Sequence, residues 1–235
     1  TPKIDKLGVF DNPTMSFHLT SNEGNQVKSF TFGGAGQNAI PVSGDWDGDG
    51  VDSIGLYIRA NALFVLAGPD QPPKALDTFI FGAPGQLPVI GDWDADGQDT
   101  VGVYVPEAAT FFLSNINAAG DAPISVTFGS PNLWPLAGDW DGDGIDTLAV
   151  YVPATGIFIL TNQNVTGAAK SEFSFGPPNK IPLVGDWDGD GKDTVGVYDP
   201  SSGTFFLNNN NGSGKASITT TFGSPGQNPV VGHWK

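Results

Sequence analysis

The feature that most constrains this chain is a repeat of 47 residues. Gly44-Asp45-Trp46 returns as Gly91-Asp92-Trp93, Gly138-Asp139-Trp140 and Gly185-Asp186-Trp187, and in altered form as Gly232-His233-Trp234. The 235 residues hold five such periods. Phe17, Phe64, Phe111, Phe158 and Phe205 keep the same spacing, as do Leu19, Leu66, Leu113, Leu160 and Leu207 and the series Phe10, Tyr57, Tyr104, Tyr151 and Tyr198. Only Phe32-Gly33 slips, two residues early, as loops tolerate.

One period reads as four strands, Leu87 to Trp93, Asp99 to Val105, Thr110 to Asn115 and Ile124 to Phe128, broken by segments rich in Gly, Pro, Asn and Asp. In the second run Val101, Val103 and Val105 alternate with Gly102 and Tyr104, which is the period of a strand. No stretch has a helical face. Four strands in 40 to 50 residues make one propeller blade. The expected fold is therefore all-β: a five-bladed β-propeller of four-stranded antiparallel blades, residues 1–235 forming a single domain. The termini support closure, because Lys235 falls at the repeat position of Asp188 and Thr1 at the next. Pro229 to Trp234 then supplies the first strand of a blade completed by Leu7 to Phe10, Met15 to Thr20 and Lys28 to Gly33.

Charge narrows the partners. Ten Lys and Arg against 25 Asp and Glu leave a formal charge of -15, so the chain is not expected to grip nucleic acid, and cations are the favoured company. No run approaches the length of an apolar membrane span, so membrane insertion is not expected. Without Cys there are no disulfides and no thiolate metal sites.

The acid is concentrated in four loops between the first and second strands: Asp45 to Ser53, Asp92 to Thr100, Asp139 to Thr147 and Asp186 to Thr194. Each holds four Asp, together 16 of the 25 acidic residues. At a separation of about 5 Å each like-charged pair costs about 1 to 3 kcal/mol, so a cation belongs there. Carboxylates at positions 1, 3 and 5, Gly at 6 and a backbone carbonyl at 7 are the oxygen-rich wrap that calcium accepts. Zinc lacks its His and Cys ligands, and magnesium prefers fewer carboxylates. The expected ligands are Asp45, Asp47, Asp49 and the Val51 carbonyl, closed by Asp52. The second set is Asp92, Asp94, Asp96, the Gln98 carbonyl and Asp99; the third Asp139, Asp141, Asp143, the Ile145 carbonyl and Asp146; the fourth Asp186, Asp188, Asp190, the Lys192 carbonyl and Asp193. In the fifth loop His233 and Lys235 replace the first two acids and only Asp5 survives, so four calcium ions are expected, not five.

The combination F-G, then P, then G-D-W-D-G-D-G-x-D-[ST]-x-[GA]-[VL]-Y resembles the FG-GAP and VCBS-type repeats of bacterial surface proteins, whose calcium loop also occurs in the integrin α-chain propeller. The resemblance implies a calcium-holding propeller, extracellular or on the cell surface. It also opens an alternative, because the integrin-like loop places its last acid at position 9. Here Asp stands at 8 and Ser53, Thr100, Thr147 or Thr194 at 9, and either closes the shell. The G-A-P element occurs once, after Phe81, and no integrin ligand site carries over.

Each loop repeats without an added acid, base or nucleophile, so the expected role of the metal is structural. The expected function is a non-catalytic, monomeric scaffold, adhesion or interaction module whose partners are calcium and a glycan or surface protein. A carbohydrate-binding lectin is the alternative, and a polysaccharide-degrading enzyme the third reading. Trp134 alone among the Trp residues lacks a Trp counterpart, with Ile40, Leu87, Ile181 and Asn228 at its register, which makes it the candidate ligand-binding residue beside a role in local packing.

Overall fold

The computed structural model of the chain describes residues 3–20, 27–69 and 72–234. They form twenty strands in five separate antiparallel sheets of four. Blade I contains β4 (Ile40–Gly44), β5 (Ser53–Ile58), β6 (Leu63–Ala67) and β7 (Ala75–Ile80). Blade II contains β8 (Leu87–Gly91), β9 (Thr100–Val105), β10 (Thr110–Leu113) and β11 (Ile124–Thr127). Blade III runs β12 (Trp134–Gly138), β13 (Thr147–Val152), β14 (Ile157–Thr161) and β15 (Lys170–Ser174), and blade IV runs β16 (Ile181–Gly185), β17 (Thr194–Asp199), β18 (Thr204–Leu207) and β19 (Ile218–Thr221). Blade V joins the chain ends, with β20 (Asn228–Gly232) paired to β1 (Lys6–Asp11), followed by β2 (Ser16–Thr20) and β3 (Val27–Thr31).

The five-bladed propeller read from the repeat is the observed fold, and the closing strand is the one expected. Thr1, Pro2 and Lys235, which complete the phase argument, lie outside the described residues. The first strand of each blade is innermost, since β20, β4, β8, β12 and β16 contact one another in a ring. Among the described residues the sole helical piece is a 3-10 turn at Pro106–Ala108.

The alternation of β9 explains how the blades adhere. All of Thr100 to Tyr104 is buried because both faces of the strand are covered. Val101 and Val103 pack with Trp46, Tyr57 and Phe64 of blade I, while Tyr104 packs with Phe111 and with Leu148 and Val150 of blade III. The same division recurs around the ring, with Ile54 and Leu56 of blade I packed against Phe10 and Phe17 of blade V. An isolated blade would leave both faces in water, so each blade depends on its neighbours to cover them.

Within each blade the aromatic series form direct cross-strand pairs. Tyr57 faces Phe64, with ring centroids 4.6 Å apart, and Tyr104–Phe111, Tyr151–Phe158, Tyr198–Phe205 and Phe10–Phe17 repeat the tilted geometry between 4.5 and 4.7 Å. Such pairs add about 0.5 to 1.5 kcal/mol beyond their area. The outermost strands are largely exposed, β19 along its whole length, and they mix polar residues with exposed apolar ones such as Val27, Leu76, Ile80 and Ile218.

Candidate metal centres and the carboxylate ring

Each Asp-rich loop joins the innermost strand of a blade to the next strand, and its backbone is folded by its own first carboxylate. Asp45 accepts the N–H groups of Asp49 and Gly50 at 3.0 and 2.7 Å. Asp139 accepts from Gly142, Asp143 and Gly144, and the position-5 acid then takes the position-7 N–H, as Asp143 does from Ile145 at 2.9 Å. The loop is thereby wound around a point at which the acids converge. In each of the four loops one ligand oxygen from positions 1, 3 and 5 lies within 4.8 Å of the other two: Asp45, Asp47 and Asp49; Asp92, Asp94 and Asp96; Asp139, Asp141 and Asp143; Asp186, Asp188 and Asp190.

These triads fit a hard divalent cation. Carboxylate oxygens have about four lone-pair directions, so the N–H bonds accepted by the first Asp leave capacity for an ion. Six to eight oxygen ligands suit calcium, and three carboxylates from one short loop supply charge and part of that shell. Val51, Gln98, Ile145 and Lys192 are held at position 7 by the N–H bonds they donate to Asp49, Asp96, Asp143 and Asp190.

Position 8 goes elsewhere. The Asp99 carboxylate accepts the Asp45 N–H across the blade boundary at 2.7 Å, and its own N–H donates to the Asp45 carbonyl at 2.8 Å. Asp146 holds Asp92, Asp193 holds Asp139, Asp5 holds Asp186 and Asp52 holds His233 in the same way. These five acids are thus not gathered with positions 1, 3 and 5 of their own loops; each ties its blade to the preceding one. Thr100, Thr147 and Thr194 at position 9 are buried and donate weakly, at 3.3 to 3.5 Å, to the carbonyl of the Gly that precedes each loop.

The clasp explains the Gly of Gly-Asp-Trp. A Cβ on Gly91 would meet Asp146 Oδ2 at 2.7 Å, and one on Gly232 would meet Asp52 Oδ2 at 2.7 Å and the Trp234 ring at 2.6 Å. Trp46, Trp93, Trp140, Trp187 and Trp234 are all buried against the blades, as their position in the repeat predicts.

Together the five clasping acids close an acidic ring at one end of the central channel, where with Lys3 and His233 they line a cavity of about 320 Å³. Burial, then repulsion from Asp52, pushes both Asp5 and Asp99 up to about 7. Burial followed by Asp193 raises Asp146, and burial followed by Asp5 raises Asp193. Burial also raises Asp52, against the His233 N–H that it accepts.

Sequence reasoning overlooked the Asn residues at the β10–β11, β14–β15 and β18–β19 turns. Asn115 and Asn162 donate to the position-3 acids Asp94 and Asp141 at 2.6 Å, and Asn117, Asn164 and Asn211 donate to the carbonyls of Asp99, Asp146 and Asp193. Their recurrence at 47-residue spacing was the available signal. In the fifth loop His233 Nδ1 lies 3.2 Å from the Ile4 carbonyl, and Lys6 is buried with no hydrogen-bond partner for its ammonium among the described residues. Trp134 begins β12 at the opposite end of the channel, 38% exposed, its ring 6.3 Å from that of Tyr151.

No family model matches the chain, and no curated protein matches it. A solved protein of unknown function from Bacteroides caccae is similar in fold, with a TM-score of 0.53 and 12% identity over 94% of this chain and 73% of that one. A functionally unknown protein from Desulfotomaculum acetoxidans DSM 771 aligns over 93% of this chain and 80% of its own, with a TM-score of 0.48 and 12% identity. Among the described residues no helix is long and apolar enough to cross a membrane.

Proposed function

We propose that the chain is a calcium-stabilised, non-catalytic β-propeller of the FG-GAP/VCBS type, a monomer acting as an interaction module outside the cell. The observation that carries this reading is the fourfold convergence of the position-1, 3 and 5 carboxylates to within 4.8 Å. A repeated site of one geometry, with no nucleophile or base added in any copy, serves the fold and not a reaction. Calcium is the preferred ion because the donor set is all oxygen and rich in carboxylate. Affinities of about 0.1 to 1 mM, common in extracellular modules, make such loops saturable in a calcium-rich exterior.

Native mass spectrometry and thermal melts in calcium, magnesium and chelator test the reading. Four calcium ions per chain and a large fall in Tm on chelation are expected. At 100 times the dissociation constant each site contributes about 2.7 kcal/mol, and for a domain of this size each kcal/mol moves Tm by about 2 to 4 °C. A Tm indifferent to calcium would remove the structural role.

A further inference from the structure

Three departures from the repeat converge on one cavity at the mouth of the channel opposite the Asp loops. Arg59, the sole Arg of the sequence, stands where the other blades have Asn12, Pro106, Pro153 and Pro200. Trp134 and Asn228 stand where the remaining blades have Ile40, Leu87 and Ile181. Arg59, Trp134 and Asn228 come from blades I, III and V, yet they line one cavity of about 490 Å³. A residue that a blade needs for its own packing is expected in every blade. These three answer to something that occurs once, in the middle of the ring.

The cavity has the dimensions and character of a small-ligand site, within the usual range of about 300 to 1,000 Å³. Its floor is apolar and rigid, built from Pro88, Pro135 and Pro182 and from Leu136. Arg59 is exposed, and its Nε donates to the Gly85 carbonyl at 2.8 Å, which leaves the terminal amino groups of the guanidinium for another acceptor. Among the described residues no Asp or Glu lines this cavity, in a chain with 25 of them. The clasping acids lie at the far ends of the innermost strands, roughly 13 Å away for a five-residue strand.

The geometry points to a single binding site here for a carboxylated sugar, a hexuronate at the end of an acidic glycan. The guanidinium pairs with the carboxylate in the planar, two-pronged manner that Lys does not reproduce. The exposed indole offers an apolar face to the C–H side of the pyranose ring. The Asn228 amide, with both donor and acceptor capacity, meets the hydroxyls. Charge selects the acid over a neutral hexose, and the amide selects a sugar over an aromatic acid. The site is independent of the metal loops, and its occupancy does not rest on calcium as their ion.

Calorimetric titration of the calcium-saturated protein with glucuronate and galacturonate, against glucose, galactose and benzoate, tests the assignment. One site per chain with a Kd of about 1 mM is expected for a uronate. Arg59→Gln and Trp134→Ala should each weaken it about tenfold or more while the calcium count stays unchanged, and Arg59→Gln should leave the Tm unchanged as well. Absence of saturable uronate binding, equal binding of the neutral sugars, tighter binding of benzoate, or uronate binding indifferent to both variants would each overturn it. Loss of bound calcium in the wild type, with uronate binding retained, would instead count against the metal reading alone.

Discussion

Asp99 and Asp45 grip one another across a blade boundary by two hydrogen bonds, backbone N–H to carbonyl at 2.8 Å and backbone N–H to carboxylate at 2.7 Å. The contact joins the residue that starts one metal loop to the residue that ends the next. A cation held at Asp45 would therefore act on the same few atoms as blade docking. An ion that fixes Asp45 also fixes the partner of Asp99, and the coupling passes round the ring through Asp146, Asp193, Asp5 and Asp52.

The clasp has a pH signature. Asp5 and Asp99 are pushed up to about 7 in the folded chain, against about 4 for Asp in an unfolded one. The folded state then holds protons that the unfolded chain releases between about pH 4 and 7, so stability from these groups is full below that window and is lost as pH rises through it. Metal-free protein is expected to melt higher at pH 5 than at pH 8. Asp99→Asn keeps an acceptor for the Asp45 N–H and removes the charge, so it should raise the metal-free Tm at pH 8 and narrow the gap between the two pH values. Differential scanning calorimetry of both proteins decides; a lower Tm for the variant at pH 8 would show that the charge stabilises the ring.

Ligands and clasps separate by counting ions. Asp47→Asn and Asp141→Asn each remove a carboxylate from a converged triad and should each reduce the calcium count from four to three at moderate calcium concentration. Asp52→Asn alters a carboxylate that faces His233, and should leave four ions bound. Asn162→Ala frees the second oxygen of Asp141 from its 2.6 Å bond and should weaken one site about tenfold, the usual size of an outer-shell effect. Native mass spectra across a calcium series check all four. A count of three for Asp52→Asn would return position 8 to the coordination shell.

The Gly91 position tests how closely the blades approach. Gly91→Ala places a methyl group 2.7 Å from Asp146 Oδ2 and 3.0 Å from the Trp93 ring, both in packed surroundings. Overpacking of this kind costs about 1 to 3 kcal/mol. Urea unfolding should show the loss as a lower midpoint. A neutral result would mean that the boundary between blades II and III yields without cost.

Much of this was legible in the sequence because the repeat carries it. Alternation in Val101 to Val105 and the phase of Pro229 to Trp234 against Leu7 to Phe10 gave both the blade and the closing strand. The Asp spacing gave positions 1, 3 and 5. Position 8 was harder: Asp99 is eight residues into its own loop, but its carboxylate reaches a residue 54 positions earlier. A linear motif cannot distinguish a ligand from a contact with the neighbouring blade, since both use carboxylate oxygen. The convergence of Arg59, Trp134 and Asn228 was hidden for the same reason, because only the closed ring brings three blades to one mouth.

Ala95 offers a test in the stabilising direction. It stands where the other three Asp loops have Gly48, Gly142 and Gly189, and it adopts the same left-handed backbone, with φ of 61° against 72°, 82° and 79° for those glycines. An L-residue there costs about 1 to 2 kcal/mol through the contact of its Cβ with the following carbonyl. Gly relieves that strain but adds about 0.5 to 1 kcal/mol of unfolded-state entropy. Ala95→Gly should therefore stabilise the protein by up to about 1.5 kcal/mol. The second metal site should bind calcium at least as tightly, since Asp94 and Asp96 flank the relaxed residue. Denaturant titration with an unchanged m-value and a higher midpoint is the expected result. A lower midpoint would mean that the alanine methyl group makes contacts worth more than the backbone strain it imposes.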